Sequence, residues 1–328
     1  MRLPIILALI GLMVLSACQD NPEGKANRIY PESNGNINNL QIVMTNELWE
    51  GRVGEAVRGV FAAPVFGLPQ DEPLFNMNQI PPAAFSGFAQ RNRTFVKFAK
   101  SDSSYVRYSK NPYAKPQLGV FIGGPTKEDL IAQLSDKSEE IINALKSTEI
   151  VEKQRRISKS LLNVGTLKDK MGITMRIPTA YRMAKEEDNF FWIRKDIRSG
   201  SMNIIVYEVG MDAIDTQGEI IQDIIKLRDS IGGDNVTVDE GGRFITEEAY
   251  APYMFNAEVD NKFAYETRGT WEVRDKWMAG PFLNYAIRDE ENNRYLIVEG
   301  FTFAPSIDKR DYQFELEAIL KSVSFDKS

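Results

Sequence analysis

The chain has no histidine and a single cysteine, Cys18, in 328 residues. Two large groups of catalysts go with them. Ser-His-Asp and Cys-His nucleophile systems need an imidazole to move the proton, and most zinc hydrolases are built on His or Cys ligands. One thiol also leaves no intrachain disulfide available. The chemistry that remains is carboxylate acid–base work, a Ser-Lys pair, tyrosine, or calcium and magnesium on oxygen ligands. No metal and no cofactor are expected. Blocks of basic residues are missing too: 40 Lys and Arg stand against 46 Asp and Glu, for a formal charge of −6. No nucleic-acid partner is therefore expected.

Long apolar runs are absent apart from Leu3–Leu15, which is broken only by Pro4 and Gly11. This run is shorter than the roughly 20 residues a spanning helix needs. It has the length of a secretory signal core, with Arg2 before it. Leu15-Ser16-Ala17-Cys18 follows and resembles the lipobox of bacterial lipoproteins. The resemblance implies a thioether-linked diacylglyceryl group on Cys18, cleavage before it, and an acylated N-terminus. Two or more acyl chains anchor a protein stably where one does not. The expectation is a signal peptide over 1–17 and a protein held to a membrane by its N-terminal lipid. It would lie in the cell envelope, on the outer membrane.

Residues 18–39 are rich in Asn, Gly and charge, which predicts a flexible tether with a coil reach of about 25 Å. Two α/β-type domains of an α+β chain should follow, over 40–162 and 163–328. In the first, Leu40–Met44, Thr94–Lys100, Tyr105–Ser109 and Leu118–Ile122 read as strands. Trp49, Val53, Val57 and Phe61 form the stripe of one helix, although Gly51 and Gly54 weaken it. Five prolines make residues 63–85 a long loop. Thr126 and Asp129 form a capping box for a long helix running from Lys127 into the 150s.

In the second domain, Ile173, Met175 and Ile177 alternate as a half-buried strand should. Further strands are expected at Phe190–Arg194, Asn203–Val209, Phe244–Glu247, Tyr253–Val259 and Phe263–Val273. A helix through Ile220, Ile224, Leu227 and Ile231 should end at Gly232-Gly233. Phe282–Arg288 and Arg294–Phe303 flank a polar turn, and a last helix spans Tyr312–Ser322.

The succession "YLIVEGFTFAP", "SIDKRDYQ", "FELEAILKSVSF", with the earlier "GITMRIPTAYRM", resembles PsbP-like domains. That likeness implies an α-β-α sandwich around a mainly antiparallel sheet and an accessory or assembly role. The segments "NELWEGRVGEAVR", "PVFGLPQDEPLF", "IPTAYRMAKEEDNFFWIRK" and "TRGTWEV…MAGPF" are similar to a domain-of-unknown-function lipoprotein family of Bacteroidota. It implies architecture and envelope location and transfers no functional residue.

Local motifs for catalysis are thin. "GVFIGGPTKEDL" has a strand–glycine–helix order suited to anions but lacks the P-loop ending. The acidic runs Asp239-Glu240, Glu247-Glu248 and Asp289-Glu290-Glu291 read as solvated turns and edges, since neighbours on a strand point to opposite faces. Ser306-Ile307-Asp308-Lys309 fits S-x-x-K without its companion motifs. Aromatic rings are the better candidates. Phe191, Trp192, Trp271 and Trp277, with Leu74 and Phe75 of the Pro-rich stretch, form the candidate binding surface, and Tyr250, Tyr253 and Phe255 cluster beside them in sequence. Rings fill cores by default but stack sugars or partners where a sheet face is open. The leading expectation is a non-catalytic binding or assembly factor engaging an envelope protein. A glycan-binding surface protein comes second and a carboxylate-dependent hydrolase third.

Overall fold

The structure is a computed structural model that describes residues 30–238 and 241–326. Cys18 and Asp239-Glu240 lie outside the described residues. The first half alternates strand and helix: β1 (Asn39–Val43), α1 (Asn46–Glu50), α2 (Arg52–Phe61), β2 (Asn76–Ile80), β3 (Thr94–Lys100), β4 (Tyr105–Lys110), β5 (Leu118–Gly124), α3 (Lys127–Asp136) and α4 (Ser138–Ile157). The sheet order is β2-β1-β3-β5-β4, with β4 antiparallel to β5 and the other pairs parallel. Alternation along the strands sends Leu40, Ile42, Val96 and Val120 under the helices, against Val57, Phe61, Leu130 and Leu145. Val43 and Phe95 point the other way, beneath Phe85 and Tyr113 of the loops.

Several details depart from the sequence reading. The helix expected through Trp49 and Phe61 is two helices, because Gly51 is extended at the junction. The Pro-rich stretch contains an edge strand, β2, where an unbroken loop was expected. The long helix is interrupted at Lys137, although the Thr126–Asp129 capping box forms. A free tether cannot reach Asn39: Glu32 bridges Lys115, Asn34 bridges Asn92, and Asn38 is buried.

The second half comprises α5 (Gly165–Met171), β6 (Ile173–Thr174), β7 (Arg182–Glu186), β8 (Phe190–Ile197), β9 (Gly200–Gly210), α6 (Ile220–Leu227), β10 (Phe244–Thr246), β11 (Tyr253–Val259), β12 (Lys262–Val273), β13 (Ala279–Asp289), β14 (Arg294–Phe303), α7 (Arg310–Leu320) and β15 (Ser324–Phe325). An antiparallel sheet runs β10-β12-β13-β14-β9-β8-β7, with β11 also paired to β12. One face packs Phe191, Ile204, Tyr285 and Val298 against α5 and α7. The other packs Trp192, Tyr207, Phe244, Trp271 and Phe301 against α6. The chain is thus α+β in a two-domain layout. Ile173, Met175 and Ile177 are all buried, yet only Ile173–Thr174 pairs, with β15. Gly232-Gly233 does not end its helix: a π-helical turn, Arg228–Gly232, carries on from α6 into a further short helical turn, Gly233–Asn235.

Helix α4 belongs to both cores. Its Ile141 and Leu145 enter the first and Ile150 and Ile157 the second. A clasp reinforces this join. The Glu72 carboxylate accepts the Lys309 and Arg310 backbone N–H groups, each at 2.7 Å, at the start of α7. A carboxylate there satisfies orphan donors and complements the helix dipole. Arg310 donates back to the Pro73 carbonyl at 3.0 Å.

Charge is buried in pairs. Arg228 donates to Glu299 at 3.0 Å and to the Thr246 hydroxyl at 2.9 Å, with its guanidinium 3.9 Å from the Phe282 ring centre. Removing one member of such a pair leaves the other desolvated and alone. Arg228→Met should therefore destabilise the fold by about 3–5 kcal/mol in denaturant titration, and adding Glu299→Gln should recover part of the loss. Glu152 offers a pH test. Burial pushes its carboxyl up, but hydrogen bonds from Arg155 and Arg156 and the charge of Arg93 outweigh this and hold it at about 2. A depressed carboxylate contributes stability above its unfolded pKa and loses it as pH falls through the folded value. Stability should fall between the ordinary value of 4.5 and about 2, and Glu152→Gln should flatten that slope in acid unfolding followed by circular dichroism.

Candidate functional site

The Pro-rich loop is the element that builds a surface at the domain junction. Its two arms pair, Val65 N–H to the Glu72 carbonyl and Leu74 N–H to the Ala63 carbonyl, both at 2.9 Å. The tip therefore projects onto the second domain. Gly67 sits there with φ +79°, and a Cβ would stand 2.8 Å from that of Arg268. Only glycine allows this backbone approach at a positive φ. The neighbouring Phe66 is consequently laid across β11, with ring centres 4.8 Å from Tyr253 and 5.7 Å from Phe255. All three rings are exposed, Phe66 by 54%.

This aromatic ridge separates two clefts. One, of about 520 Å³, lies between the loop and residues 249–253, with Leu68, Pro69, Tyr250 and Pro252 in its walls. The other, of about 780 Å³, lies between α4 and β11. Ile142, Ile150 and Val151 form its helical wall and Phe255, Ala257 and Val259 the opposing wall. Its floor is ionic. Arg268 donates to Glu266 at 2.6 Å and pairs with Glu317 at 2.9 Å, while Lys321 pairs with Glu317 at 3.0 Å. The Tyr285 hydroxyl donates to Glu266 at 2.9 Å.

Electrostatics on that floor follow from burial and partners. Burial works to raise the Glu317 carboxyl, but Arg268, Lys321 and Lys146 overcome it and keep the group ionised far below the ordinary range. Tyr285 is pushed well above the usual phenol by burial and by Glu317 and Glu266. Lys146 is pulled below the ordinary lysine value by burial, against the pull of Glu317. Glu266 and Glu317 thus sit together on the floor, while Glu139, Glu258 and Asp260 also line the cleft. Both floor carboxylates are held by Arg268.

Most residues picked from the sequence lie elsewhere. Phe191, Trp192, Trp271 and Phe75 are buried, which corrects their assignment to a binding surface. The sheet is covered on both faces, so the rings of Phe191 and Trp192 enter opposite cores. Phe75 packs edge-on to Phe61 in the first domain. Trp277 is fully exposed but stands apart from the ridge, and Leu74 lines the larger cleft. The exposed ring surface is instead Phe66, Tyr253 and Phe255, of which the last two were visible as a cluster in sequence. Phe66 and Lys146 carried no such signal.

The weaker motifs have structural explanations. Asp129 already occupies the Thr126 N–H after Gly123-Gly124, and a Cβ at Gly123 would collide with the Tyr105 ring. Ser306 is exposed in a turn at φ +64°, while the Lys309 ammonium donates to the Ile307 carbonyl. Asp289 is buried beside Arg294 at 2.8 Å rather than solvated as expected. No cluster suited to a metal occurs among the described residues. Nor is any described helix long and apolar enough to cross a membrane.

Comparison with known families divides the chain in the same place as the two sheets. Residues 160–322 match the family described as Domain of unknown function (DUF4837). Residues 33–158 match a second, Domain of unknown function (DUF8532). Each half of the chain thus matches a different domain of unknown function. No curated protein sequence matches it. Among solved structures, the Ran-binding protein Mog1p of Saccharomyces cerevisiae is 10% identical, with a TM-score of 0.32 over 48% of this chain and 91% of that one. Human StAR-related lipid transfer protein 5 is 7% identical, with a TM-score of 0.23 over 52% of this chain and 97% of that one. Scores this low carry no argument about this chain.

Exposure separates surface rings from core rings in a measurable way. Phe66→Ala and Tyr253→Ala should each change unfolding free energy by less than about 1 kcal/mol. Phe191→Ala and Trp271→Ala should each cost about 3–5 kcal/mol in the same denaturant titration.

Proposed function

We propose that this chain is a lipid-anchored protein of the bacterial cell envelope, non-catalytic, that engages another envelope protein through the aromatic ridge at its domain junction. The observation that carries the reading is the Phe66–Tyr253–Phe255 cluster, uncovered and contributed by both domains. Exposed rings beside a polar rim are characteristic of protein contact surfaces. The Pro-rich walls of the 520 Å³ cleft extend the same surface with side chains that lose little entropy on contact.

Anchoring rests on the lipobox-like Leu15-Ser16-Ala17-Cys18 and on the resemblance to a Bacteroidota lipoprotein family. An accessory rather than catalytic role is supported by the likeness of the second domain to PsbP-like domains. It is also supported by a chain without histidine whose cleft-floor carboxylates are tied to arginine and lysine. The glycan reading is less favoured, because Trp192 and Trp271, the rings best suited to stacking, are in the core.

Cys18→Ser should move the protein from the membrane pellet to the soluble fraction. A photo-crosslinking side chain at Phe66 in the anchored protein should capture one envelope protein repeatedly, and Tyr253→Asp should abolish the capture. Retention of Cys18→Ser in the membrane would remove the anchor. Capture of nothing, or robust turnover of ester, glycoside or phosphate substrates by the isolated chain, would remove the binding role.

A further inference from the structure

The first domain carries a charge asymmetry in which the aromatic ridge has no part. From Pro73 to Lys127 there are eight Lys and Arg and one acid, Asp102, whereas the remainder of the chain has 32 against 45. No two of the eight are adjacent, so residue order shows no basic block. Folding sorts them. Arg93 is buried against Glu149, and Lys127 pairs with Glu47. Among the described residues, the other six have no carboxylate within 4 Å.

Strand alternation puts Lys97 of β3 and Arg107 of β4 on the sheet face turned away from the helices, the face of Phe95 and Phe121. The Lys97 ammonium stands 5.9 Å from the Phe85 ring centre and the Arg107 guanidinium 5.0 Å from that of Phe121. Tyr113 packs on the same face, and a recess beside it is bounded by Pro31, Phe88 and Arg91. Phe88 is 74% exposed there. Cations spread over a sheet, with one open ring at the border, suit a plane of anionic headgroups with an apolar layer beneath.

The chain enters the fold at the border of this face. The Pro31 carbonyl accepts the Lys115 N–H at 2.9 Å, and the Asn34 N–H donates to the Arg91 carbonyl at 2.8 Å. Glu32, between them, is drawn away to Arg155 of α4 at 3.3 Å. Cys18 stands twelve positions before Tyr30, a span of at most about 40 Å. An acyl anchor at Cys18 therefore holds this border close to the bilayer.

We propose that the outer face of the first sheet lies on a bilayer bearing anionic phosphate headgroups. Lys97, Arg107, Arg91 and Lys115 meet the headgroups, and Phe88 enters the interface. That the surface is a bilayer rests on the anchored reading of Cys18. The same surface repels the acidic remainder of the chain, which fixes the side that faces it. The ridge is not covered. Leu74 and Ile142, which line the larger cleft beside it, pack on the helix-covered side of the same sheet.

The test uses the chain from Gln19 onward, which keeps both cores and carries no acyl group. Co-sedimentation with phosphatidylcholine vesicles, with and without phosphatidylglycerol, should show binding only to the anionic ones, weakening as salt is raised. Lys97→Gln and Arg107→Gln should each weaken it about fivefold with circular dichroism unchanged. Lys226→Gln and Arg288→Gln, exposed on the second domain, should have no effect. Phe88→Ala should weaken vesicle binding and leave any affinity for heparin, a soluble polyanion, unchanged. No binding to anionic vesicles, equal binding to both kinds, equal losses from the second-domain substitutions, or capture of heparin with vesicles ignored would overturn the proposal. Attachment by this face alone is stripped by salt, so a salt-washed membrane pellet reports the Cys18 anchor and the vesicles report the face.

Discussion

One helix closes two hydrophobic cores. Helix α4 gives Ile141 and Leu145 to the first core and Ile150 and Ile157 to the second, so neither core is complete without it. The rest of the junction follows from that placement. Gln154 donates to the Ala318 carbonyl at 2.9 Å, and Lys153 pairs with Glu315 at 2.7 Å, which in turn holds Lys195 at 2.7 Å. The Pro-rich loop then has a fixed neighbour to lean on, and the Glu72 clasp at α7 becomes geometrically possible.

Buried charge in this protein is arranged to need that same rigidity. Arg93 is fully buried yet donates to Glu149 of α4 at 2.8 Å and to the Gly35 and Asn36 carbonyls. Glu149 also accepts the Asn38 N–H at 3.1 Å. The segment entering the first domain is therefore held by α4 as well. Such pairs contribute little when compared with apolar packing, but they penalise every arrangement in which one partner is displaced. Moving α4 away from this segment would leave Arg93 and Glu149 buried without each other.

Local features of this fold were legible from residue order, and long-range ones were not. Strands such as Thr94–Lys100 and Tyr253–Val259 announced themselves through β-branched and aromatic alternation, and Thr126 with Asp129 marked a helix start. Arg182–Glu186 escaped because its order, Arg-Met-Ala-Lys-Glu, puts the two apolar residues side by side and so shows no alternation. The fate of Phe191 and Trp192 could not be read locally: whether a ring is core depends on what covers each sheet face, and α6 and α7 lie far away in sequence. The candidate cleft was hidden for a related reason. Lys146 looks like any solvated lysine until Arg268 and Glu317, more than a hundred residues onward, are folded beneath it. A partial clue existed in α4 itself, whose apolar positions shift from the Ile141–Leu145 stripe to the Ile150–Ile157 stripe midway.

Sharing a helix has a mechanical consequence for the clefts beside it. A two-domain binder normally spends part of its interaction energy on closing around a guest, because the halves are free to part. Here the strut that joins the halves is also one wall of the opening, so the gap width is set when the chain folds. Any visitor meets surfaces already at their final separation, and the entropy lost on capture falls on the visitor alone.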